Sequence, residues 1–210
     1  MVEAIKYSSQ GEQVGKVALP SGLFEVETAN PKTVLYEVIK MYNANQRHGT
    51  VMKQNRALVS GSNRKLFRQK GTGNARVGMR RTPIRVGGGH AFGIDPKDWY
   101  RPIPKKKKRL ALKIALTERA KNGQVMVVED FQFSKPNTQD AKNILGKMIE
   151  VPGRTLIVTT GHSIPVVNSF RNLEKVHLDR AEGLYAYEVL NCKYLILTES
   201  ALKKVEEVFA

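Results

Sequence analysis

The stretch from Gln46 to Arg109 divides the chain in two and cannot build a core of its own. It carries eighteen Lys and Arg side chains against two acids, Asp95 and Asp98, a net of +16 that equals the formal charge of all 210 residues. The remainder is therefore neutral. No acid occurs from Val38 through Ile94, and between Met52 and Gly93 no window sustains a helical or strand period of apolar residues. Glycine recurs at Gly61, Gly71, Gly73, Gly78, Gly87, Gly88, Gly89 and Gly93. High charge with little apolar surface cannot offset chain entropy, so such a segment is disordered or orders against a partner. A connection this long within a compact domain is then a functional one. The expected partner is a polyanion.

On either side the pattern is that of an ordinary core. Without the basic stretch, about 150 residues remain, enough for one domain. Residues 2–7 and 13–19 read as paired strands around a turn at Gln10–Gly11–Glu12, and 23–26 as a third short strand. Asn30–Pro31 opens a helix that ends near Asn45, with Val34, Leu35, Val38, Ile39, Met41 and Tyr42 on its apolar face. After Pro104 a second helix runs to about Asn122, with Gly123 placed as a left-handed C-terminal residue. Its first turn is five successive cations, Lys105 to Arg109, at a helix end whose dipole already favours anions.

From there strands and helices alternate. Residues 125–128, 155–159, 176–178 and 194–197 read as strands. Residues 138–149, 163–170, 184–190 and 200–209 read as helices. This alternation predicts an α/β fold, a parallel-sheet core with flanking helices joined by right-handed crossovers. A long basic non-globular arm is inserted between two of its helices. The expected division is a core from 1–46 and 102–210 and an extended arm over 47–101.

Little in the core suggests catalysis. Thr160–Gly161–His162–Ser163 follows a strand and could hold a phosphate, but it reads as an ordinary strand–turn–helix with Ser163 as cap. Gly71-x-Gly73-x-x-Arg76 mimics a dinucleotide fingerprint, yet has arginine for the third glycine and neither a strand before it nor a helix after it. His48, His90, His162 and His177 lack metal-ligand spacing. Glu129–Asp130 ends a strand and reads as a solvated strand end. The one cysteine, Cys192, excludes an internal disulfide, fits a reducing cytosol and reads as a small buried hydrophobe. No apolar run spans a membrane and no signal peptide is evident. Neither enzyme activity nor a metal or cofactor is expected.

Nucleic acid is the polyanion that such a segment suits. Arginine forks onto phosphates or stacks on unpaired bases, and glycines bring the backbone close to a ligand. Aromatic groups are sparse (Phe67, and Phe92 near His90) and there is no recognition-helix pattern, which favours structured RNA over duplex DNA. The candidate RNA-binding residues are Arg47, Lys53, Arg56, Arg64, Lys65, Arg68, Lys70, Arg76, Arg80, Arg81, Arg85, Lys105, Lys106, Lys107, Lys108 and Arg109. Because the arm leaves and re-enters the core at helix ends, its middle lies farthest away. The expected tip is Arg64, Lys65, Leu66, Phe67, Arg68, Gln69, Lys70, Gly71, Thr72 and Gly73. Two other classes remain, a nucleotide-binding enzyme with a basic arm and a chromatin or transcription factor.

The string GSNRKLFRQKGTGNAR over residues 61–76 resembles the signature arm of the large ribosomal subunit protein four family, bacterial type. Thr82-Pro83-Ile84, Gly87-Gly88, Lys107 to Leu112, and Leu197-Thr198 with Val205-Glu206-Glu207 are similar to the same family. The chain departs from many members at Leu66-Phe67, where they have Pro-Trp, and at Arg85, where they have Trp. The resemblance implies a cytoplasmic component of the large ribosomal subunit whose arm threads through ribosomal RNA. It further implies that the tip reaches the wall of the nascent-peptide exit tunnel near the macrolide site. The implied partners are large-subunit ribosomal RNA, neighbouring ribosomal proteins and the nascent peptide, with no membrane contact.

Overall fold

A computed structural model describes residues 2–149, 153–161 and 163–209. The chain divides into two compact units, residues 1–43 with 102–210, and Ala44–Arg101. Among the described residues every helix and strand with a tertiary core lies in the first unit, apart from the end of one helix that runs on to Asn45.

That unit is a mixed sheet with helices on both faces. Strands β1 (Glu3–Tyr7) and β2 (Gln13–Ala18) are antiparallel, joined through the turn at Gly11. Helices α1 (Ser21–Phe24), α2 (Pro31–Asn45) and α3 (Lys105–Lys121) follow. Next come β3 (Val125–Val128), α4 (Thr138–Met148), β4 (Thr155–Thr159) and α5 (Ile164–Phe170). The chain closes with β5 (Val176–Arg180), α6 (Ala186–Asn191), β6 (Tyr194–Thr198) and α7 (Glu199–Phe209). The strand order is β2-β1-β3-β6-β4-β5, and every pairing except β1 with β2 is parallel.

The strand period sorts the core into two layers. Ala4, Val125, Val127, Leu156, Val158, Leu195 and Leu197 face one cluster with side chains from α1, α2, α3, α6 and α7. Tyr7, Met126, Val128, Ile157 and Ile196 face the other, against Ala141, Ile144, Leu145 and Met148 of α4 and Val166 and Phe170 of α5. Central strands β3 and β4 are buried at every position, as their unbroken apolar runs require. Gly123 follows α3 with φ +66°, the left-handed conformation expected there.

Two expectations are corrected. Residues 23–26 form no strand. Pro20 accepts from the N–H groups of Leu23 and Phe24, and the resulting single helical turn buries both side chains completely. A short apolar run does not declare its period, and here Pro20 at the N-cap, with φ −60°, favours the turn. The helix expected from Leu184 starts only at Ala186, after a tight 3-10 turn over Ala181–Gly183. The expected cap Ser163 occupies that position before α5 without a side-chain capping bond.

Candidate nucleic-acid interface

Unit Ala44–Arg101 contains neither a helix of its own nor a ladder of strands. Its order comes from hydrogen bonds between two limbs that run antiparallel. Arg101 N–H donates to Asn45 Oδ1 at 2.8 Å, and Asn45 Nδ2 donates back to the Arg101 carbonyl at 3.4 Å. Lys97 N–H donates to the Gly49 carbonyl at 3.0 Å, Lys53 N–H to Ile94 at 2.8 Å and His90 N–H to Gln54 at 2.8 Å. Farther along, Arg81 Nη1 donates to the carbonyls of Ala57 (3.2 Å) and Val59 (2.8 Å). Leu66 N–H donates to Gly78 at 3.1 Å beside an isolated bridge between Lys65 and Met79. The pairs are nearly symmetric about Thr72, so the limbs close on residues 66–78.

Two glycines let the limbs approach. Gly89 is the one buried residue of this unit, and a Cβ there would collide with the backbone of Asn55 and Arg56. At Gly49, φ is +61° and a Cβ would strike the Lys97 carbonyl.

The unit lacks an apolar core. Val51, Met52, Leu58, Leu66, Ile84, Val86, Phe92, Ile94 and Tyr100 are all exposed, and Phe92 and Val86 are fully so. Only Phe67 and Trp99 among its aromatic side chains are half-buried. Hydrogen bonds between loops contribute modestly in water, roughly 0.5–1.5 kcal/mol each, and the few half-buried apolar side chains add little to them.

Eleven of the candidate residues, Arg47 to Arg85, fall in this unit, and Lys105–Arg109 form the first turns of α3 in the other. Arg47, Lys53, Arg56, Arg64, Lys65, Arg68, Lys70, Arg76, Arg80, Arg85, Lys105, Lys106 and Arg109 are exposed, whereas Arg81, Lys107 and Lys108 are half-buried. Among the described residues no cation from Ala44 to Arg101 is ion-paired. Asp98 turns its carboxylate onto the Tyr100 N–H at 2.8 Å.

Some candidates also have internal partners. Arg81 braces the limbs. Arg68 Nη2 donates to the Gly71 carbonyl at 2.8 Å and Lys65 Nζ to Gln69, so the turn at 65–71 is shaped by its own cations. Lys107 pairs with Glu37 of α2. Arg47 lies over the Trp99 ring at 3.6 Å, with Lys97 at 4.6 Å from the same ring. Lys97, one of the eighteen cations of the basic stretch, and Trp99 are not among the sixteen candidates. Trp99 is the one tryptophan of the chain, set among cations, and that was the available signal.

The other candidates of the core have internal roles. Thr160 Oγ1 and Ser200 Oγ lie 3.1 Å apart, Ser200 donates to Asp130, and Thr159 Oγ1 donates to the Gly161 carbonyl at 3.0 Å. His162 lies outside the described residues. Glu129 accepts from Ser9 N–H at 3.4 Å and meets Lys6 at 3.9 Å, while Lys6 also pairs with Glu199 at 2.5 Å. Cys192 is buried, which pushes its thiol up to about 11. No group of three metal-ligating side chains occurs among the described residues. No helix among them is long and apolar enough to cross a membrane.

The profile of the ribosomal protein L4/L1 family matches residues 17–208. The chain belongs to that family. It is 40% identical over 208 residues to large ribosomal subunit protein uL4 of Symbiobacterium thermophilum, covering 99% of each chain. It is 43% identical over 203 residues to that of Carboxydothermus hydrogenoformans, covering 97% of each. To the protein of Natranaerobius thermophilus it is 37% identical over 209 residues, covering 100% of each chain. These relatives are ribosomal proteins and not enzymes.

Proposed function

We propose that the protein is a structural, non-catalytic component of the cytoplasmic large ribosomal subunit and binds ribosomal RNA through a basic arm over 47–101. In this reading residues 1–46 and 102–210 are the globular body, and Lys105–Arg109 add phosphate contacts at the start of α3. One observation carries it. Residues Ala44–Arg101 combine unpaired cations with exposed apolar side chains and no core, so their stable conformation needs a polyanion that neutralises and covers them. The family and the similarity to uL4 proteins over nearly the whole chain support ribosomal RNA as that polyanion, and neighbouring ribosomal proteins as further partners.

The finer reading concerns residues Arg64–Gly73. They form the tip, line the nascent-peptide exit tunnel near the macrolide site and touch the nascent peptide. Support comes from the limb pairing, which closes on residues 66–78 and so takes in Leu66–Gly73 of this segment, while Arg64 and Lys70 are exposed without a side-chain partner. Phosphate contacts spread along both limbs, so one tip cation supplies a small share of the affinity. Lys70→Glu and Arg68→Ala are expected to permit assembly, with normal occupancy in subunits that withstand a high-salt wash, and to alter the macrolide footprint or nascent-chain stalling. Normal occupancy with unchanged footprint and stalling for both variants would remove the tip from the tunnel. Failure to co-sediment with the subunit would remove the protein from it.

A further inference from the structure

Trp99 offers one indole ring to two cations that approach it from different limbs. The Arg47 guanidinium carbon is 3.6 Å from the ring centroid and Lys97 Nζ is 4.6 Å from it. The guanidinium is thus held at stacking distance, and both charges are fixed by the ring quadrupole without an acid. Their neighbours fix the backbone. Asn45 and Arg101 exchange bonds on one side, and Lys97 N–H reaches the Gly49 carbonyl on the other. Gly49 sits at φ +61°, and a Cβ there would also crowd Trp99 Cδ1 at 2.8 Å. The ring, the glycine and the reciprocal amide are a fitted set.

Its electrostatics are unfinished. The two ring distances keep the cations within about one Debye length of each other, so salt screens their repulsion only partly. Arg47, Lys97 and Arg101 are exposed, and Asp98 is committed to the Tyr100 N–H. A doubly accepting anion reached by both cations would relieve the repulsion. A guanidinium whose face is covered still presents its N–H edge, and that edge fits a phosphate oxygen.

We propose that Arg47 and Lys97, held in place by Trp99, form a phosphate clamp for one backbone phosphate of the bound RNA. Trp99 is its positioning residue. This rests on the RNA-binding reading and adds to it three residues acting as one unit.

The single tryptophan makes the test direct. The full-length protein is titrated with an in vitro transcript of large-subunit ribosomal RNA while indole emission and RNA affinity are followed together. Emission is expected to change with the same midpoint as binding, and inorganic phosphate at equal concentration is expected not to reproduce the change. Trp99→Ala and Arg47→Ala should each weaken binding by about 3- to 10-fold and flatten the plot of log K against log salt by roughly 0.7–0.9, the loss of about one phosphate contact. The double variant should lose no more than either single one, and Trp99→Tyr should restore most of the affinity. Steeply salt-dependent binding by the wild type, with unchanged emission and no effect of Trp99→Ala, would overturn the clamp and leave RNA binding intact. Additive losses in the double variant would overturn the shared role. An equal response to inorganic phosphate would move the site from RNA to the free anion. Absence of RNA binding by the wild type would instead sink the underlying reading.

Discussion

Glu188 is the residue whose charge state the fold disturbs most openly. It lies on α6 beside a cavity of about 150 Å³ lined in part by Arg154, His177, Tyr185 and Cys192. Burial, and then the neighbouring Asp179 carboxyl, raise its carboxyl to about 7 from an ordinary 4.5, and its Oε2 is buried without a hydrogen-bond partner. Tyr185 is pushed up to about 12, first by burial and then by this carboxyl. Between about pH 4.5 and about pH 7 the Glu188 carboxyl of the folded chain holds a proton that the unfolded chain has released. The stabilisation from Glu188 is therefore full below about pH 4.5 and is lost as pH rises through about 7. Glu188→Gln should remove this dependence, so the melting temperature of the variant should gain on wild type between about pH 5 and about pH 8. A constant difference across that range would show that Glu188 titrates normally. Nothing in the sequence reading marked Glu188 for this. Its environment is assembled from α2, β5 and α6, and neighbours so distant along the chain leave no local signal. The sixteen candidate cations, by contrast, stand out as residue types with no acids around them. Legibility ends at what each cation touches, because the stacking of Arg47 on Trp99 joins limbs that no periodicity relates.

Among elements, the most legible were those that bury two faces or one clear stripe. Strands β3 and β4 are unbroken apolar runs. Helix α3 shows its face and its C-terminal glycine. Helix α1 was misread because four residues carry too little pattern to separate a turn from a strand, and because Leu23 and Phe24 are set by packing near α3. Helix α4 has a start signal of a different kind. The Asn137 side chain accepts from Gln139 N–H at 3.0 Å and Asp140 N–H at 3.4 Å, while its own N–H donates to Ser169 Oγ at 3.0 Å. Asn137→Ala should cost about 1 kcal/mol and Asn137→Asp much less, since a carboxylate caps as well. Urea denaturation measures both. Equal losses would mean that the Asn137 side chain acts through its amide bond to Asp140 and not through the cap.

At the scale of the molecule, both hydrophobic clusters are built without any residue from Ala44 through Arg101. Replacing residues 47–101 by a short Gly/Ser linker should therefore leave a cooperative thermal transition and an unchanged helical and strand signal in circular dichroism. Loss of cooperativity would show that the segment supports the core. For the intact protein, if roughly half of the basic stretch meets phosphate, log K for RNA should fall with log salt at a slope of about −6 or steeper. Neutralising Lys105, Lys106, Lys107 and Lys108 together should flatten it, and an affinity indifferent to salt would refute the phosphate-dominated account.

The coreless build of Ala44–Arg101 also bears on how long a copy survives. A protease needs several residues of accessible backbone, and this segment offers a long, largely exposed stretch without helix or strand. One cut there severs the chain between α2 and α3, which pack into the same cluster. If the proposed RNA binding holds, a copy that has found its RNA hides the vulnerable stretch, and a surplus copy keeps it open. Turnover would then match the amount of protein to the amount of RNA, with no separate device to count either.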